Sequence, residues 1–306
     1  MIAPSAEWLP LLRELGDLKR VRSANQAGTV AERLFALAWR RLVAGEDTAS
    51  VARDVTVRAL IATKMGDLGG TDLRKAGLPE PAVERILGEA FDAVTHLLAA
   101  DVRQGLRGGA AGVRLDDGAD PGQSVVAPAF VAQLMRQPRA GATAPGRPRV
   151  MLEPPENHAE HCLCVAVVGV LLAWETGADA GQVFLASLAH HLHNALLADS
   201  GFAGEMLLGD WLTPAITGAT ELALAELKPG LGQRVVEACR ILPDAETAEG
   251  RAFHAADTLD RVLQMEHHLR GATTSMAYLQ NEMGLVHAGP IKPFQDALLA
   301  RMGLAA

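Results

Sequence analysis

The stretch ENHAEHCLCVAVVGVLLAW, Glu156–Trp174, decides how this chain folds. It opens with Asn157 and, three residues on, Glu160, the spacing of a capping box, in which each side chain satisfies a backbone N–H at a helix start. Pro154 and Pro155 bar a helix before it. From Cys162 to Trp174 nearly every residue is apolar, so no side of the helix prefers water and the segment is expected to be buried all round. That apolar run of about 13 residues is too short to cross a bilayer and fits a core helix. His161 then sits where an unpaired polar group costs about 1–3 kcal/mol, so it needs a partner, a hydrogen-bonding group or a metal.

Composition agrees with a helical protein. Hydrophobic residues make up 49% of the 306, aromatics 4%, with a single Tyr. Alanine- and leucine-rich chains favour helices over sheets. The net charge of −8 argues against general binding of a nucleic acid backbone, which draws on Lys and Arg. A local basic pocket for one phosphate stays compatible with it. Cys162, Cys164 and Cys239 are an odd set and read as core thiols rather than a disulfide framework. The opening MIAPSAEWLPLLREL carries charges too early for a secretory leader, and a cytoplasmic protein without membrane contact is expected.

Residues 1–104 read as helices. VAERLFALAWRRLVAG (Val30–Gly45) and PEPAVERILGEAFDAVTHLLAADV (Pro79–Val102) carry apolar residues at helical spacing. GLRGGAAGVRLDDGADPGQS (Gly105–Ser124) loses all periodicity, and Pro128–Arg136 fits a short helix. We take 105–148 as a linker ending in the Pro/Gly/Arg-rich QPRAGATAPGRPR (Gln137–Arg149), and 149–306 as a second domain. Its further helices are expected at Ala180–Ala198, at Ala248–Arg270 and in the closing PIKPFQDALLARMG. The fold class is all-α, two tandem helical domains.

LAHHLHNALLADSG (Leu188–Gly201) carries the chemistry. At 100° per residue, Leu185, Leu188, Ala189, Leu192 and Leu196 share one face. His190, His191 and Asn194 share the other, with His193 just off it. Alone this is as readily a solvated face. The helix around FHAADTLDRVLQ adds Asp257 on a semi-apolar face, where the plain alternative is an i,i+4 pair with Arg261. Asp257 with His161, His190 and His191 makes a plausible set for a divalent transition metal such as Mn, Co, Fe or Zn.

In order and spacing, ENHAEH (Glu156–His161), HHLHNALLAD (His190–Asp199) and AADTLD (Ala255–Asp260) resemble the HD-domain metal-dependent phosphohydrolases. The nearest look is to the bacterial 5'-nucleotidases acting on deoxynucleoside monophosphates. The resemblance covers about Arg149–Ala306 and implies an HD-type helical bundle. It implies that His161, His190 and Asp257 are metal ligands. His191 stands where the family has its namesake aspartate, and Asn194 where it has a glutamate. Asp199 matches the second acidic residue, so Asp199 and Asn194 are the catalytic candidates. Arg147 or Arg149 lies near the family's phosphate-holding arginine, and His193 joins them as a substrate-binding candidate.

TVAERLFALAWRRLVAG (Thr29–Gly45) resembles HAEHCLCVAVVGVLLAW, with Arg33 in place of the metal histidine. TKMGDLGGTD (Thr63–Asp72) aligns without gaps to HHLHNALLAD, with Thr63 and Lys64 for the two histidines, Asp67 for Asn194 and Asp72 for Asp199. An internal duplication whose first copy has lost its ligands is the reading.

The expected activity is hydrolysis of a nucleoside monophosphate or similar small phosphoester. One alternative is an HD-fold pseudoenzyme that binds or regulates as a homodimer. The other is a non-haem iron oxygenase, against which stands the lack of any histidine between His193 and His254. His158 and His254 are loose ligand candidates only.

Overall fold

The computed structural model describes residues 5–24, 26–110, 125–269 and 275–306. Among these the chain is all-α, with isolated β-bridges and no strand. The helices are α1 (Leu9–Asp17), α2 (Val30–Ala44), α3 (Thr48–Met65), α4 (Gly70–Lys75), α5 (Glu80–Thr95), α6 (Ala100–Ala110) and α7 (Ala129–Arg136). They continue as α8 (His158–Thr176), α9 (Ala180–Ala189), α10 (Gly201–Leu208), α11 (Leu212–Leu224), α12 (Pro229–Ala238), α13 (Ala248–Leu269) and α14 (Lys292–Met302).

The helix read from Glu156–Trp174 is α8, the axis of the molecule. Asn157 Oδ1 accepts from the Glu160 N–H at 3.0 Å and the Asn157 N–H donates to Glu160 Oε2 at 3.0 Å, the reciprocal cap its sequence spells. Gly177 closes the helix in the left-handed conformation, φ 70°. Helices α2, α3, α7, α9 and α13 pack around α8 and bury it from His158 through Ala173. Gly169 sets the closest approach. A Cβ there would lie 2.8 Å from Val183 Cγ1 of α9, so only glycine lets the two helices meet at this distance.

Helix α2 starts with the same device, Thr29 and Glu32. The two caps are then cross-linked. Thr29 Oγ1 donates to Glu160 Oε1 at 2.8 Å, and Asn157 Nδ2 donates to Glu32 Oε1 at 2.8 Å. Around these starts α2 packs on α8, α3 on α9 and α1 on α13. One continuous cluster of buried apolar side chains runs through both halves.

The structure departs from the sequence expectations in three places. The segment Pro79–Val102 breaks after Thr95, and α6 begins at Ala100 because Glu175, at the end of α8, accepts the Ala99 N–H at 2.9 Å. Helix α6 then runs on into the segment expected to be loop. Buried Val102 and Leu106, four residues apart, hold it there, and residues 111–124 lie outside the described residues. Arg270, the expected end of α13, lies outside them too.

The third departure shapes the site. Helix α9 ends at Ala189, not Ala198, and a 3-10 turn follows at Leu192–Ala195. His190 Nδ1 donates to the Ser187 carbonyl at 2.7 Å, and Asn194 binds locally to His191 and Leu197. Side chains that bond to their own backbone compete with helix continuation, and here they end it. The two-faced helical wheel expected across Leu185–Leu196 therefore does not exist beyond Ala189.

Candidate metal centre

Three elements bring His161, His190, His191 and Asp257 together. His161 comes from the first turns of α8, His190 and His191 from the break after α9, and Asp257 from the middle of α13. His161 Nε2 lies 3.2 Å from His190 Nε2 and 3.2 Å from Asp257 Oδ1, and His190 Nε2 lies 4.0 Å from the same oxygen. Ligand atoms of His161, His190 and His191 lie within 4.8 Å of one another.

Hydrogen bonds on the far side of each ring fix what these atoms are. His161 Nδ1 donates to Asp260 Oδ2 at 2.7 Å, the tautomer that leaves Nε2 as the lone-pair nitrogen when a metal is bound. His190 spends its Nδ1 proton on the Ser187 carbonyl and likewise keeps Nε2 bare. In Asn194, Nδ2 donates to the Leu197 carbonyl at 3.1 Å, which turns Oδ1 toward His191 Nδ1 at 2.9 Å. The third ring is thereby set in the same tautomer. Asp257 Oδ2 accepts from Arg261 at 3.1 Å, while buried Oδ1 has no hydrogen-bond partner among the described residues. The Nε2 atoms of His161 and His190 and the Asp257 Oδ1 oxygen converge on one point, an arrangement suited to a cation.

The electrostatics prepare the same state. Burial, reinforced by neighbouring His161, lowers the His190 imidazole to about 3, and burial and His190 hold His191 well below its usual range. Both rings are neutral at neutral pH, as ligands must be. Burial opposes charge on Asp257, but Arg261 and His161 hold its carboxyl well below the ordinary value. The residues fit a divalent cation in chemistry and tautomer.

The other site candidates fall differently. Asp199 borders a cavity of about 210 Å³, with Oδ2 accepting from the Ala140 N–H at 2.9 Å and Oδ1 from the Gly201 N–H at 2.8 Å. Asn194 is engaged at both ends of its amide and lines neither this cavity nor the next. Its Oδ1 accepts the His191 Nδ1 proton. His193 stacks loosely, 5.6 Å ring to ring, on His191 and lines neither cavity. Arg147 pairs with Glu282 at the surface at 3.0 Å, and Arg149 donates to the Ser200 carbonyl at 3.0 Å. Neither lines the cavity, although Arg149 also reaches the carbonyl of Ala140 in its wall at 3.4 Å.

Sequence reasoning missed Arg139. It lines the cavity, its Nη1 is 3.4 Å from His191 Nε2, and its Nε is 3.4 Å from Glu156. The only trace it left was membership of the Pro/Gly/Arg run taken as a boundary. His158 is buried against His191, ring centroids 4.7 Å apart, with neither nitrogen hydrogen-bonded among the described residues and Nε2 3.6 Å from Asp199. A second cavity of about 430 Å³ lies on the other side, lined by His190, Phe253, His254, Asp257 and Lys292. His191, Arg261 and His287 border both, so the histidine cluster is the wall between the two cavities.

A family model described as an HD domain matches residues 131–288. No curated protein matches the chain, and no solved structure does.

Proposed function

The chain belongs to the HD domain family, and on that premise we propose that it is a metal-dependent phosphohydrolase acting on a nucleoside monophosphate or a similar small phosphoester. The observation that supports this most is the convergence of His161 Nε2, His190 Nε2 and Asp257 Oδ1, with His190 and Asp257 lining the cavity of about 430 Å³ and Arg261 bordering both cavities. A divalent cation bound there supplies Lewis acidity to a phosphoryl oxygen and acidifies a water. The imidazole-rich set, with one carboxylate, suits Mn, Co, Fe or Zn.

The chain's own residues do the rest. Arg139 and Arg261 put guanidinium groups on the cavity wall, where they receive phosphate oxygens with matched planar geometry. Asp199, held by two backbone N–H groups, presents its remaining lone pairs to orient a water. Phe202 and His287 stack at 4.3 Å in the same wall, a flat apolar surface of the kind a nucleobase packs against.

The first half reads as a degenerate copy of the second. Three observations support this: the matching capping boxes, their reciprocal hydrogen bonds, and what stands at the ligand positions. Arg33, in place of His161, donates directly to Asp67, in place of Asn194. An internal ion pair fills that site.

The test combines metal analysis with phosphate release across a panel of nucleoside monophosphates. Activity that requires added metal and is lost in Asp257→Ala supports the proposal. A protein that binds metal yet releases no phosphate from any member sustains the binding-protein reading instead, which the amide at Asn194, unable to take a proton at neutral pH, favours.

A further inference from the structure

Lys19 follows α1, far outside the residues that match the family, yet its ammonium lies beneath the metal centre. The side chain is 2% exposed. Its Nζ donates to Glu156 and to Asp260 Oδ1, the latter at 2.6 Å. Each carboxylate holds a site residue on its other side. Asp260 Oδ2 accepts the His161 Nδ1 proton, and Glu156 lies against the Arg139 guanidinium. One lysine from the first half thus ties together the back of a ligand and the back of the cavity arginine.

Carboxylate oxygens of Glu156 and Asp260 also lie within 4.8 Å of one another behind His161, a pair that attracts a cation. The ammonium of Lys19 is the cation found there. A cavity of about 50 Å³ bordered by Arg13, Asp17, Arg20, Gln264 and His267 abuts it, giving room for a hydrated ion where the lysine is shortened.

We propose that Lys19 is a positioning residue for the metal centre. It holds Asp260 and Glu156 so that His161 turns Nε2 toward His190 and Asp257, and it denies the Glu156 and Asp260 carboxylates to a second divalent cation. The first half of the chain is then part of the site, and the family-matching segment is incomplete without it. This inference rests on His161, His190 and Asp257 holding a metal.

The test uses the full-length chain, depleted of metal and titrated with Co²⁺. Ions per chain are counted by elemental analysis, affinity is measured calorimetrically, and the cobalt absorption spectrum is recorded. Wild type is expected to take one ion. Lys19→Ala is expected to take a second, with an altered spectrum, and Lys19→Arg to restore one. One ion in Lys19→Ala with unchanged affinity and spectrum overturns this inference alone, whereas a wild-type chain that takes no ion overturns the metal centre with it.

Two buried carboxylates without their cation could unfold Lys19→Ala. Lys19→Met with Asp260→Asn removes the charges as a pair and leaves an oxygen to accept the His161 proton. That variant is expected to take one ion at roughly 10- to 100-fold lower affinity, the usual loss when a ligand's outer partner is weakened. Wild-type affinity in the double variant overturns the proposal.

Discussion

His161 Nε2 and His190 Nε2 face each other at 3.2 Å, and neither carries a proton when its ring is neutral, because each ring has committed its Nδ1–H elsewhere. Two lone pairs do not attract. A cation between them resolves the conflict, and Asp257 Oδ1 at 3.2 Å supplies the balancing charge.

Metal should therefore stabilise the fold. With free metal at a hundred times its dissociation constant, the expected gain is about 2.7 kcal/mol. For a chain of this size that is roughly 5 °C in Tm. Scanning calorimetry with and without chelator checks it. Asp257→Asn should abolish most of the metal-dependent shift while keeping the helix.

Arg139→Met should lower kcat/KM for phosphate release by roughly 10- to 150-fold, the loss of one charge-assisted contact worth about 1.5–3 kcal/mol. Arg147→Ala, whose partner is surface Glu282, should change it less than two-fold. Equal effects of the two substitutions would put the anion site elsewhere.

The crossed caps should couple energetically. Thr29→Val removes both a cap and the bond to Glu160, and should cost about 1–2 kcal/mol in a urea melt. Paired with Glu160→Gln in a double-mutant cycle, it should show an interaction energy of at least about 0.5 kcal/mol, since the residues share one network.

Gly169→Ala places a methyl 2.8 Å from Val183. Overpacking of this kind costs about 1–3 kcal/mol. Because His190 directly follows the last residue of α9, pushing α9 outward should also weaken metal binding, which calorimetric titration reads separately from Tm.

The cysteines should be inert in the folded chain. Burial pushes the Cys239 thiol up to about 12 and raises Cys162 and Cys164 further. Thiolate is the reactive form, so at pH 8 alkylation by iodoacetamide should be slow in all three and become rapid in denaturant. Mass spectrometry counts the adducts.

What the sequence determined by itself is local. Asn157 with Glu160 and Thr29 with Glu32 fixed where α8 and α2 begin, since a cap is a contact across three residues. The unbroken apolar run made α8 a core helix, since burial is the only state such a surface tolerates. The order of His161, the histidine pair and Asp257 named the residues that meet. Tertiary structure decided the rest. Periodicity reports which face is apolar, not where a side chain's hydrogen bonds end a helix, so the break after Ala189 left no signal. Arg139 lies in an irregular segment whose register depends on bonds such as Arg139 N–H to Glu156 O. Lys19 and Glu156 are 137 positions apart, and only the packing of α1 against α8 and α13 brings that ammonium under His161.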